Sequence, residues 1–448
     1  MPKVKKKAGK KIVHQAASES IQVACRVRPL NASEVRRGDA VSVTMNKAEN
    51  TVQCGFESTS QHTFPFDQVF GKEVTNEVVY EDLCAPIVDS VLDGINGSIM
   101  AYGQTGGGKT YTMFGEGKNE GRAPRVMSHI YEKISECPKS EFAFDVRMSA
   151  LEIYQNKIYD LIGTRQHQCE IKLQKKTMLR GVDRLIVQGA TEVATSSKAS
   201  AMSVLLAAQI KRTEAATKMN KRSSRSHCIV VVSVAKQDLN QRETKFAQLY
   251  ICDLAGSENA SKTGASGQRL DEAKEINKSL TTLGRVIDCL ILKAAHIPYR
   301  DSNLTRLLQN SLGGNARCAL CIHVSPSQWN YAESLSTMFF GCRTREIKNK
   351  PIANQYLSVI QLQAVLNNYG ATVRKNEETL MSLENEISDM EEFFDIVRHS
   401  KLGPELLLCS KWTSILDLKR LSPELLAGSD KGGSLMRESG ENIAARVR

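Results

Sequence analysis

The sequence predicts an α/β fold, a central mixed, mostly parallel sheet with helices on both faces. Three segments carry that prediction, because each is an apolar strand adjoining a polar motif. The first is Ile99-Met100-Ala101-Tyr102, which runs into Gly103-Gln104-Thr105-Gly106-Gly107-Gly108-Lys109-Thr110 and continues as a helix start at Tyr111-Thr112-Met113. The second places Asn220-Lys221-Arg222-Ser223-Ser224-Arg225-Ser226-His227 at the mouth of the run Cys228-Ile229-Val230-Val231-Val232. In the third, Gln248-Leu249-Tyr250-Ile251-Cys252 leads into Asp253-Leu254-Ala255-Gly256-Ser257-Glu258.

Residues 103–110 fit G-x-x-x-x-G-K-[ST] between a strand and a helix, the context in which that spacing cradles phosphate. Its glycines let backbone N–H groups converge on an anion, and the helix N-terminus adds its positive dipole end. Lys109 then belongs on the β- and γ-phosphates, and the Thr110 hydroxyl on Mg²⁺. An acid at the end of an apolar strand, Asp253, stands where such a site reaches Mg²⁺ through water. Three residues on, Gly256 can bring an N–H against the γ-phosphate.

In chain order, residues 1–18 form a basic tail, with Lys3, Lys5, Lys6, Lys7, Lys10 and Lys11 contributing much of the net charge of +11. Such a run reads as disordered; it serves as a tether to an acidic surface, a localisation signal or a plain solubilising tail. The α/β domain occupies 19–346. Pro351 bars helix continuation in the segment 347–358. From Val359 apolar residues recur at alternating steps of three and four, through Leu362, Leu366, Tyr369, Val373, Leu380, Leu383, Ile387, Met390, Phe394 and Val397, interrupted at Asn376. That is a heptad pattern, so 359–399 is expected as a coiled coil ended by Gly403-Pro404. Residues 400–448 read as a short flexible tail.

At 448 residues and 41% hydrophobic content, the chain suits one large domain with an extension, and no apolar run nears membrane-spanning length. The N-terminus lacks the apolar core of a signal peptide, and the twelve cysteines are scattered as in a reducing compartment. Cys318 and Cys321 form a C-x-x-C on an expected strand. Three residues apart there, they point to opposite faces, which argues against a metal site.

The three motif segments together resemble the nucleotide site of the kinesin motor family: its GQTGxGKT loop, NxxSSRSH switch I and DLAGSE switch II. Further matches are Ile21 to Leu30, containing Arg26-Val27-Arg28-Pro29, then Asn277-Lys278-Ser279-Leu280, Pro298 to Leu307, and Leu312-Gly313-Gly314-Asn315; the resemblance covers about residues 19–350. It implies ATP and Mg²⁺ as cofactors and tubulin as partner. Arg26, Arg28, Pro29 and Tyr111 would hold the base, with Gly103, Gln104, Thr105, Gly106, Gly107, Gly108, Lys109 and Thr110 around the phosphates. Thr110, Ser224 and Asp253 would serve the metal, Gly256 would sense the γ-phosphate, and Arg225 and Glu258 would close the two switches. Water activation would run through a relay past Ser223 and Glu258. Lys262, Arg269, Lys274, Lys278, Tyr299, Arg300 and Arg306 would face the microtubule. Residues 347–358 match the start of a kinesin neck linker, placed as in plus-end-directed motors. Cytoplasm and cytoskeleton are the expected location, with a nuclear or spindle role left open.

Departures from the family pattern are specific. Gly115 to Arg122 is short, Gly55 to His62 lacks a Lys-Val-Asp finger, and Asn303 stands where kinesins usually carry Lys. Ile95 replaces an aromatic expected beside the adenine. The alternatives are a static microtubule crosslinker, which decayed switch residues would signal, and a basic ATPase acting on nucleic acid, for which no binding module is apparent.

Overall fold

The computed structural model describes residues 18–55, 61–163, 168–174, 184–218, 222–241, 243–258, 268–356 and 359–399. The expected basic tail up to residue 17, and everything after 399, lie outside the described residues.

Ten strands form the main path of a twelve-stranded sheet. In chain order they are β1 (Gln22–Val27), β2 (Gln68–Phe70), β3 (Gly97–Gly103), β4 (Phe142–Tyr154), β5 (Lys157–Asp160), β6 (Gln168–Gln174), β7 (Arg184–Gln188), β8 (His227–Asp238), β9 (Glu243–Asp253) and β10 (Arg317–Val324). Their spatial order is β7-β6-β5-β4-β8-β9-β3-β10-β1-β2. The sheet is mixed: pairing is parallel from β9 through β3, β10 and β1 to β2, and antiparallel from β9 outward to β7.

This topology positions the site. In the parallel half Asp253 of β9 pairs with Ala101 and His323 of β10 with Gly103, so the carboxyl ends of β9, β3 and β10 share one edge. Ligand crevices form at such an edge, outside the carboxyl ends of strands. Antiparallel β8 begins there, with Cys228 opposite Asp253, and so delivers 222–227 to the same edge.

Helices are α1 (Ala32–Arg37), α2 (Asn76–Leu83), α3 (Ala85–Leu92), α4 (Lys109–Phe114), α5 (Arg122–Glu136), α6 (Lys198–Lys218), α7 (Gln268–Ile291), α8 (Asn303–Leu307), α9 (Tyr331–Arg345) and α10 (Val359–His399). They create a core on each face of the sheet. One packs α7, α8 and α9 through Leu283, Val286, Leu304 and Met338; the other packs α2, α3, α5 and α6 through Val79, Val88, Ile130 and Leu205. Cys318 belongs to the first core and Cys321 to the second, the opposite orientations expected of residues three apart on a strand.

After α9 the chain makes two short pairings, the first in a separate two-stranded sheet and the second on the main sheet. Lys348–Asn349 pairs with Glu19–Ser20, and Gln355–Tyr356 pairs with Thr244–Lys245 of β9. Asn354 donates through Nδ2 to Gly94 O, Asn96 Oδ1 and Phe246 O at 3.0–3.1 Å. Here the expectation for Ile95 is overturned. Ile95 bridges Ala353 at the amino end of β3, whereas the phosphate loop leaves its carboxyl end. A seven-residue strand separates the two by roughly 20 Å, so Ile95 is remote from any base held at that loop.

Residues from 359 form a second unit, of which α10 is described. Among its described side chains Tyr369, Val373, Leu380, Leu383 and Ile387 are exposed. No described helix is long and apolar enough to cross a membrane.

Candidate nucleotide site

The loop after β3 owes its shape to glycine. Gly103, Gly106 and Gly108 have φ of +139°, +72° and +101°, and a Cβ at Gly103 would collide with the His323 carbonyl. Lys109, first residue of α4, is buried, and its Nζ donates to Gly103 O at 2.8 Å and Gln104 O at 2.9 Å. Burial pulls the ammonium below its ordinary pKa; Asp253 and Glu258 oppose that shift.

Asp253 joins three elements. Its Oδ2 accepts from the Thr110 hydroxyl at 2.8 Å and from Arg212 Nη1, on α6, at 2.7 Å. The Arg212 and Asp253 side chains are only 6% and 1% exposed, and Asp253 holds the guanidinium above its ordinary value despite burial. Asp253 Oδ1 is buried and, among the described residues, accepts no hydrogen bond. A carboxylate oxygen kept open beside a threonine hydroxyl fits the expected Mg²⁺ site, where Thr110 would bind directly and Asp253 through water.

The two switch segments meet over the loop. Gly256 N–H donates to Ser224 O at 2.9 Å, and Ser257 N–H to Gly103 O at 3.1 Å. Glu258 clasps Thr105, accepting from its N–H at 2.8 Å and from its hydroxyl. Gly256 therefore gives its N–H to switch I in this arrangement, and Glu258 is held by the phosphate loop. Arg225 lies on the single turn Arg222–Arg225; the side chain of Ser223 is outside the described residues.

His227 ties this edge to α7. Burial first, then Arg212, lowers its pKa to about 3, so the ring is neutral. Its Nδ1 accepts from Ala255 N–H at 3.0 Å, which leaves Nε2–H to donate to Ser279 Oγ at 2.8 Å.

At the expected base wall both arginines turn into the protein. Arg26 donates to Asn76 Oδ1 at 2.5 Å, Thr112 Oγ1 at 2.7 Å and Val74 O at 3.0 Å, with its guanidinium 5.6 Å from the Tyr111 ring centroid. Arg28 donates to Gly106 O at 2.7 Å and makes a two-pronged pair with buried Glu34 at 2.6 and 2.7 Å. Arg28 thus braces the loop and Arg26 the α4 helix behind it, while Pro29 and Tyr111 are exposed.

Sequence reasoning missed Arg212, Glu34 and His323. Arg212 stands 41 residues before Asp253 inside a long helix, and no local pattern marks it. Glu34 had one signal, its place three residues after Asn31 in a capping box.

Of the residues expected to face a microtubule, Lys278 and Arg300 are exposed and Arg306 is half-buried. Tyr299 instead serves the fold, its hydroxyl donating to Leu312 O at 2.5 Å, with burial pushing its pKa up to about 12. Arg269 and Lys274 fall on α7, their side chains outside the described residues, as is Lys262 altogether. Asn303 is bound to the β4–β5 turn: its N–H donates to Asn156 Oδ1 at 2.8 Å and its Nδ2 to Asn156 O at 2.5 Å.

Residues 26–347 match the model of the kinesin motor domain. The kinesin heavy chain of Botryotinia fuckeliana is 43% identical over 376 residues, covering 83% of this chain and 42% of that protein. Kinesin-like protein 3 of Schizosaccharomyces pombe is 42% identical over 355 residues, covering 78% and 62% respectively. The chain thus spans less than two thirds of the length of each of these relatives. A solved fast kinesin superposes with a TM-score of 0.70 at 41% identity, over 76% of this chain and 95% of that one. A kinesin dimer in its two-heads-bound state, with AMP-PNP and in complex with a microtubule, gives 0.68 at 32% identity, over 75% and 97%. With its nucleotide loop and both switch segments on one sheet edge, and with these likenesses across most of its length, the chain belongs to the kinesin motor domain family.

Proposed function

We propose that this chain is an ATP-driven microtubule motor, with Mg²⁺ as metal cofactor. The observation that carries the reading is the junction at one sheet edge of Asp253 with Thr110, Gly256 with Ser224, and Glu258 with Thr105.

When bound, Mg²⁺ supplies charge neutralisation to the phosphates, and Thr110, Ser224 and Asp253 are the residues that would hold it. The loop N–H groups and Lys109 grip the β- and γ-phosphates. To reach them, Lys109 exchanges its bonds to Gly103 O and Gln104 O for phosphate oxygens. Gly256 N–H exchanges Ser224 O for the γ-phosphate, which is the step by which switch II registers its presence. Release of Glu258 from Thr105 frees it to pair with Arg225 and enclose the attacking water, with the proton passing by way of Ser223. Because Ser279 on α7 is bonded to His227, rearrangement at this edge is passed to the helix that carries Lys278. Residues 347–358 act as the neck linker of a plus-end-directed motor.

Turnover with and without microtubules tests the reading. Arg225→Ala and Glu258→Ala should each bind ATP yet lose microtubule-stimulated hydrolysis by orders of magnitude. Near-normal stimulated turnover in both variants, or equal stimulation of the parent by DNA, would sink it. Polarity-marked microtubules gliding with minus ends leading would establish plus-end direction; the opposite polarity would overturn that part.

A further inference from the structure

Arg122, the first residue of α5, is fully buried at 0% exposure. Its Nη1 contacts sulfur, Met113 Sδ at 4.0 Å, and among the described residues its Nε and Nη2 have no nitrogen or oxygen acceptor. Its other close neighbours are the thiols of Cys321, which also lies within hydrogen-bonding reach, and of Cys84; against the pull of burial these sulfurs hold the guanidinium above its ordinary pKa, but as neutral thiols they give it no counter-charge. Among the described residues no carboxylate forms an ion pair with it. A desolvated guanidinium in that condition is among the costliest groups a core can hold.

The location gives the charge a use. Met113 is one helical turn beyond Lys109 on α4, so Arg122 sits beneath the helix that opens the phosphate loop. His323 is a neighbour of both: its imidazole feels the Arg122 charge, and its carbonyl packs against Gly103 and Gly107. Burial first, then Arg122, Arg26 and Lys109, push the His323 imidazole well below its ordinary pKa, so three cations converge on the back of the loop. Asp253 and Glu258 answer Lys109, whereas the acceptors of Arg26 are neutral: Asn76, Thr112 and the Val74 carbonyl. The positive field behind the loop is therefore left partly unbalanced by the protein.

We propose that Arg122 is an electrostatic support of the nucleotide site: the phosphates supply the counter-charge that the fold withholds from this buried guanidinium. The residue touches no substrate. It strengthens nucleotide binding at the expense of the empty protein's stability. The proposal rests on the phosphate loop being the nucleotide site.

Because an apolar isostere removes the cost and the benefit together, the two effects have opposite signs, which a packing role alone would not produce. The test uses the full chain, stripped of nucleotide, with MgADP as the probe, in the parent and in Arg122→Met and Arg122→Lys. The Met variant should melt at a higher temperature than the parent when empty, and bind MgADP on the order of ten-fold more weakly. Added KCl should leave most of that difference in place, since the charge is buried. The Lys variant should keep an affinity close to the parent's. Parent-like MgADP affinity in the Met variant would overturn the proposal, as would a Met variant that loses affinity and melting temperature together or fails to fold. Lys109→Ala is the separate control: MgADP binding unchanged in that variant would mean that the loop is not the site, whatever Arg122 does.

Discussion

Asp253 shows how much of this site hangs on a single carboxylate. Arg212 neutralises it from α6 while Thr110 orients it from α4, and Oδ1 is left buried and unpaired among the described residues. Arg212→Leu should strand a buried charge at a cost of about 3–5 kcal/mol, seen as a lower denaturation midpoint. The double variant Arg212→Leu/Asp253→Leu should then be markedly less destabilised than the sum of the singles; additive losses would refute the pairing. A second residue-scale prediction concerns acid. Burial and then Arg212 hold the folded His227 pKa down at about 3, against an ordinary value of 6.5 in the unfolded chain, so below pH 6.5 the unfolded chain takes up a proton that the native state refuses. Its contribution is complete above 6.5 and is lost as pH falls toward 3, at about 1.4 kcal/mol per pH unit. Gln can accept from Ala255 N–H and donate to Ser279, so His227→Gln should lose less stability than the parent between pH 6.5 and 4.5 in urea titrations. Equal losses would show that the ring is not held neutral.

At the scale of elements, the sequence was legible where chemistry is contiguous. Gly103 to Thr110, Ser224 to His227 and Asp253 to Glu258 each keep strand, turn and functional groups within a few residues, and all three arrive at the same edge because parallel β3 and β9 and antiparallel β8 bring them there. Arg212 and Glu34 were not legible, because their partners are chosen by packing. Ile95 misled for the converse reason: proximity to the motif in sequence does not tell which end of a strand a residue occupies. Asn303 is a related case. Its departure from Lys was expected to weaken a microtubule contact, and its bonds to Asn156 give it a second duty in holding the β4–β5 turn, where Gln155 and Asn156 have φ of +49° and +57°. Asn303→Lys keeps the backbone bond and forfeits the Nδ2 bond, a loss of about 0.5–1.5 kcal/mol in stability. The new charge should tighten microtubule binding by about 0.2–1 kcal/mol at low salt, fading as salt is added. Co-sedimentation at two ionic strengths, beside thermal melts, checks both halves. Unchanged affinity at low salt would count against α8 lying at tubulin, and an unchanged melting temperature against the Asn156 tie.

At the scale of the whole molecule, two-headed movement would require α10 to find a partner. With Val359 at position a, its a and d sites are Val359, Leu362, Leu366, Tyr369, Val373, Asn376, Leu380, Leu383, Ile387, Met390, Phe394 and Val397, apolar throughout except Asn376 at d. Tyr369, Val373, Leu380, Leu383 and Ile387 of that seam are exposed, the apolar area that pairing would cover. The flanks work against it. Glu377, Glu384 and Glu391 occupy e, while g holds Val365, Thr372, Thr379, Glu386 and Phe393, so a parallel homodimer gains no g–e ion pair and sets Glu386 beside the partner's Glu391. Gly370, at another e position, costs the helix roughly 0.5–1 kcal/mol relative to Ala. An apolar seam with repelling flanks predicts a homodimer that dissociates in the micromolar range and tightens with salt, because screening removes the Glu386–Glu391 repulsion while leaving the seam intact. Sedimentation of the full chain across micromolar concentrations at low and high salt measures both trends. A salt-insensitive dimer at nanomolar concentration would mean that the seam overrides its flanks. A monomer at every concentration and salt would shift the pairing to a different chain, one with basic residues at e and g to meet these glutamates.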